Sequence, residues 1–96
     1  MGNIEFAWDS RKARANLAKH GVSFEEAETA FLDDNGRLLD DPDHSDNEDR
    51  FVLLGYSLSA RCLIVSHCYR ESDTVIRLIS ARLATANEEK EYWSFL

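Results

Sequence analysis

Proline occurs once, cysteine twice and glycine four times in 96 residues. A disulfide scaffold and a proline- or glycine-rich linker are both outside the reach of such a chain. Cys62 and Cys68 fall six residues apart in what reads as one strand. Extended backbone separates them by roughly 20 Å, whereas a disulfide needs Cα atoms within about 7 Å. They are expected as half-buried free thiols in a reducing compartment, and a catalytic cysteine is disfavoured. No apolar run reaches membrane length. The first residues, Met1 to Phe6, lack the basic and apolar regions of a secretory signal, and Phe6 stands where myristoylation wants Ser or Thr. The expectation is a cytoplasmic protein with no membrane association.

Positive charge is also scarce. The net charge is −7, from 11 basic and 18 acidic side chains, which argues against a generic nucleic-acid binder. The acids are unevenly spread, with eleven of them between residues 21 and 50. Residues 1–20 and 51–84 each carry four bases and two acids, so two basic segments remain available for a phosphate-bearing ligand. The acidic stretch Asp40 to Asp49, with His44 and Pro42, lacks the spacing of a calcium loop. No His–Cys spacing suits zinc. It is expected as a solvated loop, with no metal and no cofactor.

At this length the chain is one domain, residues 1–96, with a single modest core and little room for an enclosed pocket. Function is expected on an open face or shallow groove. Ile4 to Trp8 alternates as a short strand. Asp9 caps a helix over 10–19, and Gly21 suits the left-handed position that ends it. Ser23 and Glu26 form an S-x-x-E capping box for a second helix over 24–33, which makes a helical hairpin with the first. Strands are expected at 37–39, 50–56, 61–70 and 74–83. Thr85 and Glu88 form another capping box, opening a final helix to about Phe95. The order β-α-α-β-β-β-β-α with short links predicts an α+β fold with a largely antiparallel sheet.

Strand parity bears on the chemistry. Arg77 and Arg82 differ by five positions, so a regular strand puts them on opposite faces unless a bulge intervenes. A two-residue turn at Ser72-Asp73 pairs Cys68 with Arg77, His67 with Leu78, and Leu63 with Arg82. Arg82 then shares the His67 face. An imidazole and a guanidinium together suit phosphodiester chemistry on RNA, where one group moves protons and the other supplies planar donors to a crowded phosphate. Each also has a plainer reading: ordinary strand hydrogen bonds for His67, and surface ion pairs for Arg77 and Arg82. Lys19 and His20 sit where a helix C-terminus favours cations, which alone accounts for them. Either could also reach a phosphate. Trp8, Tyr69, Tyr92 and Trp93 could stack on bases or simply pack.

These residues also carry a resemblance to a known family. Phe6-Ala7-Trp8-Asp9, Lys12, Asn16, Lys19-His20-Gly21-Val22 and Phe24-Glu25-Glu26-Ala27 resemble the opening signature of the BrnT toxins. Asp41 to Ser45, Glu48 to Phe51 and Gly55 resemble its middle. His67, Arg70, Ile76 to Arg82, Ala84-Thr85, Glu89 and Tyr92 resemble its ending. The resemblance implies a RelE/ParE-like fold and a metal-independent endoribonuclease, the toxin of a type II toxin–antitoxin system. It implies neutralisation by a BrnA-like ribbon-helix-helix antitoxin and promoter DNA bound only through that complex. A toxin dimer within a heterotetramer is a further implication. Carried over by position, His67 would transfer protons and Arg82 stabilise phosphate, while Lys19, His20, Arg70 and Arg77 would bind RNA. The chain departs from the family in its acidic last helix, Asn87-Glu88-Glu89-Lys90-Glu91. That leaves an alternative, a catalytically weak or inactive toxin-like module that acts by binding within the autoregulatory DNA-binding complex.

Overall fold

A computed structural model describes residues 4–41 and 50–96. Its elements are β1 (Glu5–Ala7), α1 (Ser10–His20), α2 (Phe24–Thr29), a 3₁₀ turn (Ala30–Leu32), β2 (Arg37–Asp40), β3 (Phe51–Tyr56), β4 (Cys62–Arg70), β5 (Val75–Leu83) and α3 (Ala86–Ser94). The five strands form one sheet in the order β1-β5-β4-β3-β2. Three pairings are antiparallel, and β1 joins β5 in parallel. The fold is therefore α+β, as expected. Most of the acidic loop, including Pro42 and His44, lies outside the described residues.

Local chemistry explains the boundaries. The Asp9 carboxylate accepts from the amides of Arg11 and Lys12, and Gly21 ends α1 at φ 70°, a conformation that costs a side-chain-bearing residue free energy. Thr85 and Glu88 complete both halves of their capping box. At α2 only half of the expected box forms. Ser23 accepts from the Glu26 amide, but the Glu26 carboxylate turns away to Arg61 and Ser57. The second helix is also shorter than expected, tightening into the 3₁₀ turn at Ala30.

The helical hairpin packs on one face of the sheet. Val22, Phe24, Ala27 and Ala30 meet Leu53, Leu63, Val65, Ile76, Leu78 and Ala81 in the main core. On the other face α3 covers one end, where Tyr92 packs with Leu54, Cys62 and Ile64. Cys62 and Cys68 are both buried free thiols, and burial raises Cys62 to about 11, which removes it as a nucleophile near neutrality.

One buried side chain ties α1 to the sheet. β1 pairs with β5 only as far as Arg77, so beyond that point the edge of β5 away from β4 has no strand beside it. There Asn16 accepts from the Ala81 amide at 3.0 Å and donates to the Ala81 carbonyl at 2.8 Å and the Val22 carbonyl at 2.9 Å. Its amide stands in for a missing strand. Asn16→Ala leaves these three groups unpaired in a dry setting, and is expected to cost about 2–4 kcal/mol. Urea unfolding of the two proteins at one pH checks this.

Candidate functional site

The pairing of β4 with β5 follows the expected register from Arg70↔Val75 through His67↔Leu78, then shifts by one, with Ser66 opposite Ser80 and Ile64 opposite Arg82. Ile79 is the extra residue. This bulge corrects the expectation that Arg82 pairs with Leu63 and shares the face of His67. Because β4 itself runs regularly, Ile64, Ser66 and Cys68 lie on one face, and so do their partners Arg82, Ser80 and Arg77. The two arginines expected on opposite faces are brought to the same one, the face away from the helical hairpin.

His67 lies on the hairpin face with 0% of its surface exposed. Its ring meets Phe31 edge-on, centroids 4.9 Å apart, and lies beside Phe51 and Tyr69. Nδ1 is 3.1 Å from the Val65 carbonyl, and Nε2 is 3.3 Å from the Tyr69 hydroxyl. Burial pushes its pKa below the ordinary imidazole value, with the Val65 hydrogen bond opposing the shift in part. His67 and Arg82 are thus not brought together. An imidazole enclosed by aromatic rings cannot touch an RNA strand in this conformation.

The other expected residues divide between two ends of β5. Lys19 and His20 close α1. The Asn16 contact with Ala81 and the bond from Arg61 to the Gly21 carbonyl bring that end of α1 to the end of β5 where Arg82 stands. Arg70 is exposed at the far end of β4, and Arg77 pairs there with Ala7 and Cys68. Asp9 feels the charge of Arg77. Of the aromatics, Trp8 packs edge-on against Phe24, Tyr69 packs with Phe51, and Tyr92 is buried. Trp93 is exposed, its indole N–H donating to the Tyr56 hydroxyl.

Arg82 lines a groove of about 460 Å³ on the open face. Val52, Leu54, Ile64 and Ile79 give it an apolar floor, Ser66 and Ser80 add hydroxyls, and Arg50 adds a second cation. Asp40, Asp41, Glu88 and Glu91 bring acids to its walls. Glu88 holds Arg82 through two hydrogen bonds of 2.8 and 2.9 Å, which draw its own pKa down to about 2. Among the described residues no group of three His, Cys, Asp or Glu is placed to hold a metal. Ser66, Ser80, Arg50 and Glu88 were not expected as site residues. The only sequence signal for Glu88 was its role in the last capping box.

The burial of His67 has a consequence for stability. The folded chain keeps the imidazole neutral, so below the ordinary value of 6.5 the unfolded chain takes up a proton that the folded chain refuses. Stability contributed by a neutral His67 is complete above that value and declines as pH falls below it. Unfolding free energy should therefore fall as pH drops below about 6.5, and His67→Phe should flatten the slope there. Urea titrations at several pH values measure both curves. Equal slopes for the two proteins would contradict the assignment.

A family model described as the ribonuclease toxin BrnT of type II toxin–antitoxin systems matches residues 8–88. No curated protein matches the chain. Among solved structures, the chain is similar to the 1.1 Å crystal structure of the Brucella abortus ribonuclease toxin BrnT. The TM-score is 0.65 and the identity 22%, over 86% of this chain and 99% of that one. At that identity the likeness speaks for the fold, while the model match spans most of the sequence. The chain belongs to the BrnT family of ribonuclease toxins of type II toxin–antitoxin systems.

Proposed function

We propose that the chain is a metal-independent endoribonuclease that cleaves RNA across the open face of its sheet. The observation that carries this reading is the bulge at Ser66/His67, which gives Arg77 and Arg82 a common face. Arg82 stabilises charge on the phosphate that reacts, and Arg77 and Arg70 hold the strand further along. Lys19 adds a cation at the Arg82 end. In the reaction the 2′-oxygen forms a bond to phosphorus and the bond from phosphorus to the 5′-oxygen breaks. The proton of the 2′-OH passes to a base, and the 5′-oxygen receives one, leaving a 2′,3′-cyclic phosphate and a 5′-OH.

The base in this reading is His20, in place of the His67 expected from the sequence. His20 is partly exposed, and α1 is lashed to β5 at Ala81, the residue before Arg82. His67 is kept neutral inside the core and supports the sheet. The partner implied by a type II system is a protein antitoxin. We take it to be BrnA-like, with promoter DNA contacted through it, and with the toxin as a dimer in a heterotetramer of the cytoplasm. The single domain, residues 1–96, belongs in this reading with the RelE/ParE-like toxins. The carboxylates at Asp40, Glu88 and Glu91 favour a second reading, a binding module without catalysis.

Purified protein should cut an oligoribonucleotide in EDTA and leave cyclic-phosphate ends. Arg82→Ala should lower kcat/KM by about 100- to 1,000-fold, and His20→Ala by about 100-fold or more. Folded His67→Phe should keep most of the activity. Loss of cleavage on chelation would point to a metal enzyme. Loss on His67→Phe with unchanged unfolding would return the proton transfer to His67. Tight antitoxin binding with no cleavage by any variant would establish the second reading.

A further inference from the structure

Glu88 combines two contacts that a surface carboxylate seldom makes together. Its Oε1 accepts from the Thr85 backbone amide at 2.8 Å, closing the capping box of α3. The same oxygen accepts from Nη1 of Arg82 at 2.8 Å, and Oε2 accepts from Nη2 at 2.9 Å. Glu88 is therefore fixed by a helix start, and it grips the guanidinium by the edge formed by the two terminal nitrogens.

A guanidinium has five N–H donors in a rigid plane. Nη1 spends its second hydrogen on the Leu83 carbonyl at 3.1 Å. Two donors then remain, the Nε hydrogen and the second hydrogen of Nη2, and neither bonds to a described residue. Together they make the lateral edge of the guanidinium, a two-donor fork that matches two oxygens of a phosphate. Arg61 provides the contrast. It spends its Nε and Nη2 edge on Glu26, and Nη2 also donates to the Gly21 carbonyl, as suits a residue that bridges the β3–β4 turn to the helical hairpin. The same pairing of residue types thus leaves opposite edges free. Of the two, Arg82 keeps its lateral fork, and it does so in the groove that also holds the Ser66 and Ser80 hydroxyls.

We propose that Glu88 is a positioning residue, which clamps Arg82 by its terminal edge so that the Nε/Nη2 edge is held ready for one phosphate of the RNA. The inference rests on the reading of Arg82 as the phosphate-stabilising residue. Glu88 touches no substrate. It fixes the guanidinium plane in advance, so that no rotamer freedom is lost when the phosphate arrives. A negative charge at the start of α3 then serves RNA cleavage, although by charge alone it opposes RNA.

The test is Glu88→Gln, which keeps a capping-box side chain at that position but removes the charge and one of the two acceptors for Arg82. On a cleavable oligoribonucleotide, kcat should fall by about 10-fold or more, while KM stays level or drops because one repulsive charge is gone. Thr85→Ala serves as the structural control. It weakens α3 yet retains the Glu88–Arg82 pair, and its kcat should match wild type at a lower unfolding midpoint. A rise in kcat/KM for Glu88→Gln would make Glu88 a mask over Arg82 and overturn the proposal, as would an unchanged kcat. A readout independent of turnover uses ¹⁵N NMR of the Arg82 Nε–H during titration with a 2′-O-methyl oligoribonucleotide, which cannot be cleaved. The signal should shift in wild type and much less in Glu88→Gln. If wild type shows the shift but no cleavage, the nuclease reading fails and the positioning role stands. If the wild-type signal does not move, the positioning role fails.

Discussion

One extra residue in β5 decides which side of the sheet the later half of that strand presents. Without Ile79 out of register, Arg82 would point into the space filled by the helical hairpin, beside the core residues Leu63 and Val65. A guanidinium there would meet an apolar interior and pay a desolvation cost of several kcal/mol. With the bulge, Ala81 takes the inward position and Arg82 the outward one. Ala81 is also where Asn16 docks. The bulge, the inward alanine and the side-chain amide are thus one device. It lets a helix lie against an unpaired strand edge while the arginine beside that contact stays on the open face.

The chain's acidity takes on a different meaning once contacts replace counts. Glu26 is spent on Arg61 and Ser57, and Asp33 accepts from the amides of Asn35 and Tyr56 and from the Tyr92 hydroxyl. Burial alone would raise the Asp33 pKa, but these three hydrogen bonds outweigh it and lower it. Tyr92 responds in the opposite sense, rising to about 12 as burial and the nearby carboxylate both disfavour its phenolate. Asp33 joins β3 and α3 to the turn before β2, and Glu26 joins α2 to the β3–β4 turn. Both act as acceptors inside the fold, and the charge of Glu26 is offset by Arg61.

Much of the architecture was legible because its signals are local. Gly21 stops α1 by backbone freedom, and Thr85 with Glu88 starts α3 by reciprocal hydrogen bonds; both act within four residues. The strands of the antiparallel meander were readable from alternation and turn residues, and the expected register held from Arg70 to His67. What was not legible depends on partners far along the chain. The Ser23–Glu26 motif promised a full capping box, but Arg61, 35 residues away, takes the carboxylate. The parallel pairing of β1 with β5 joins residues about 70 positions apart. A bulge belongs to two strands at once, so alternation within β5 alone cannot reveal it. The separation of His67 from Arg82 follows from that one hidden shift. The family resemblance named a set of polar residues without sorting them by face, and the fold divides that set between its two sides.

The division between the two faces also separates two kinds of histidine. His67 is bounded by three aromatic rings and by hydrogen bonds to a carbonyl and a phenol. Such an enclosure favours a neutral ring and excludes water. A general base must meet its proton donor directly or through water, and must exchange the proton with solvent after each turnover. His20, at the end of α1, is by contrast partly exposed. The aromatic shell of His67 opposes a charged ring. The histidine at the centre of the fold thus belongs to the packing, while the one at the end of α1 stays partly open to solvent.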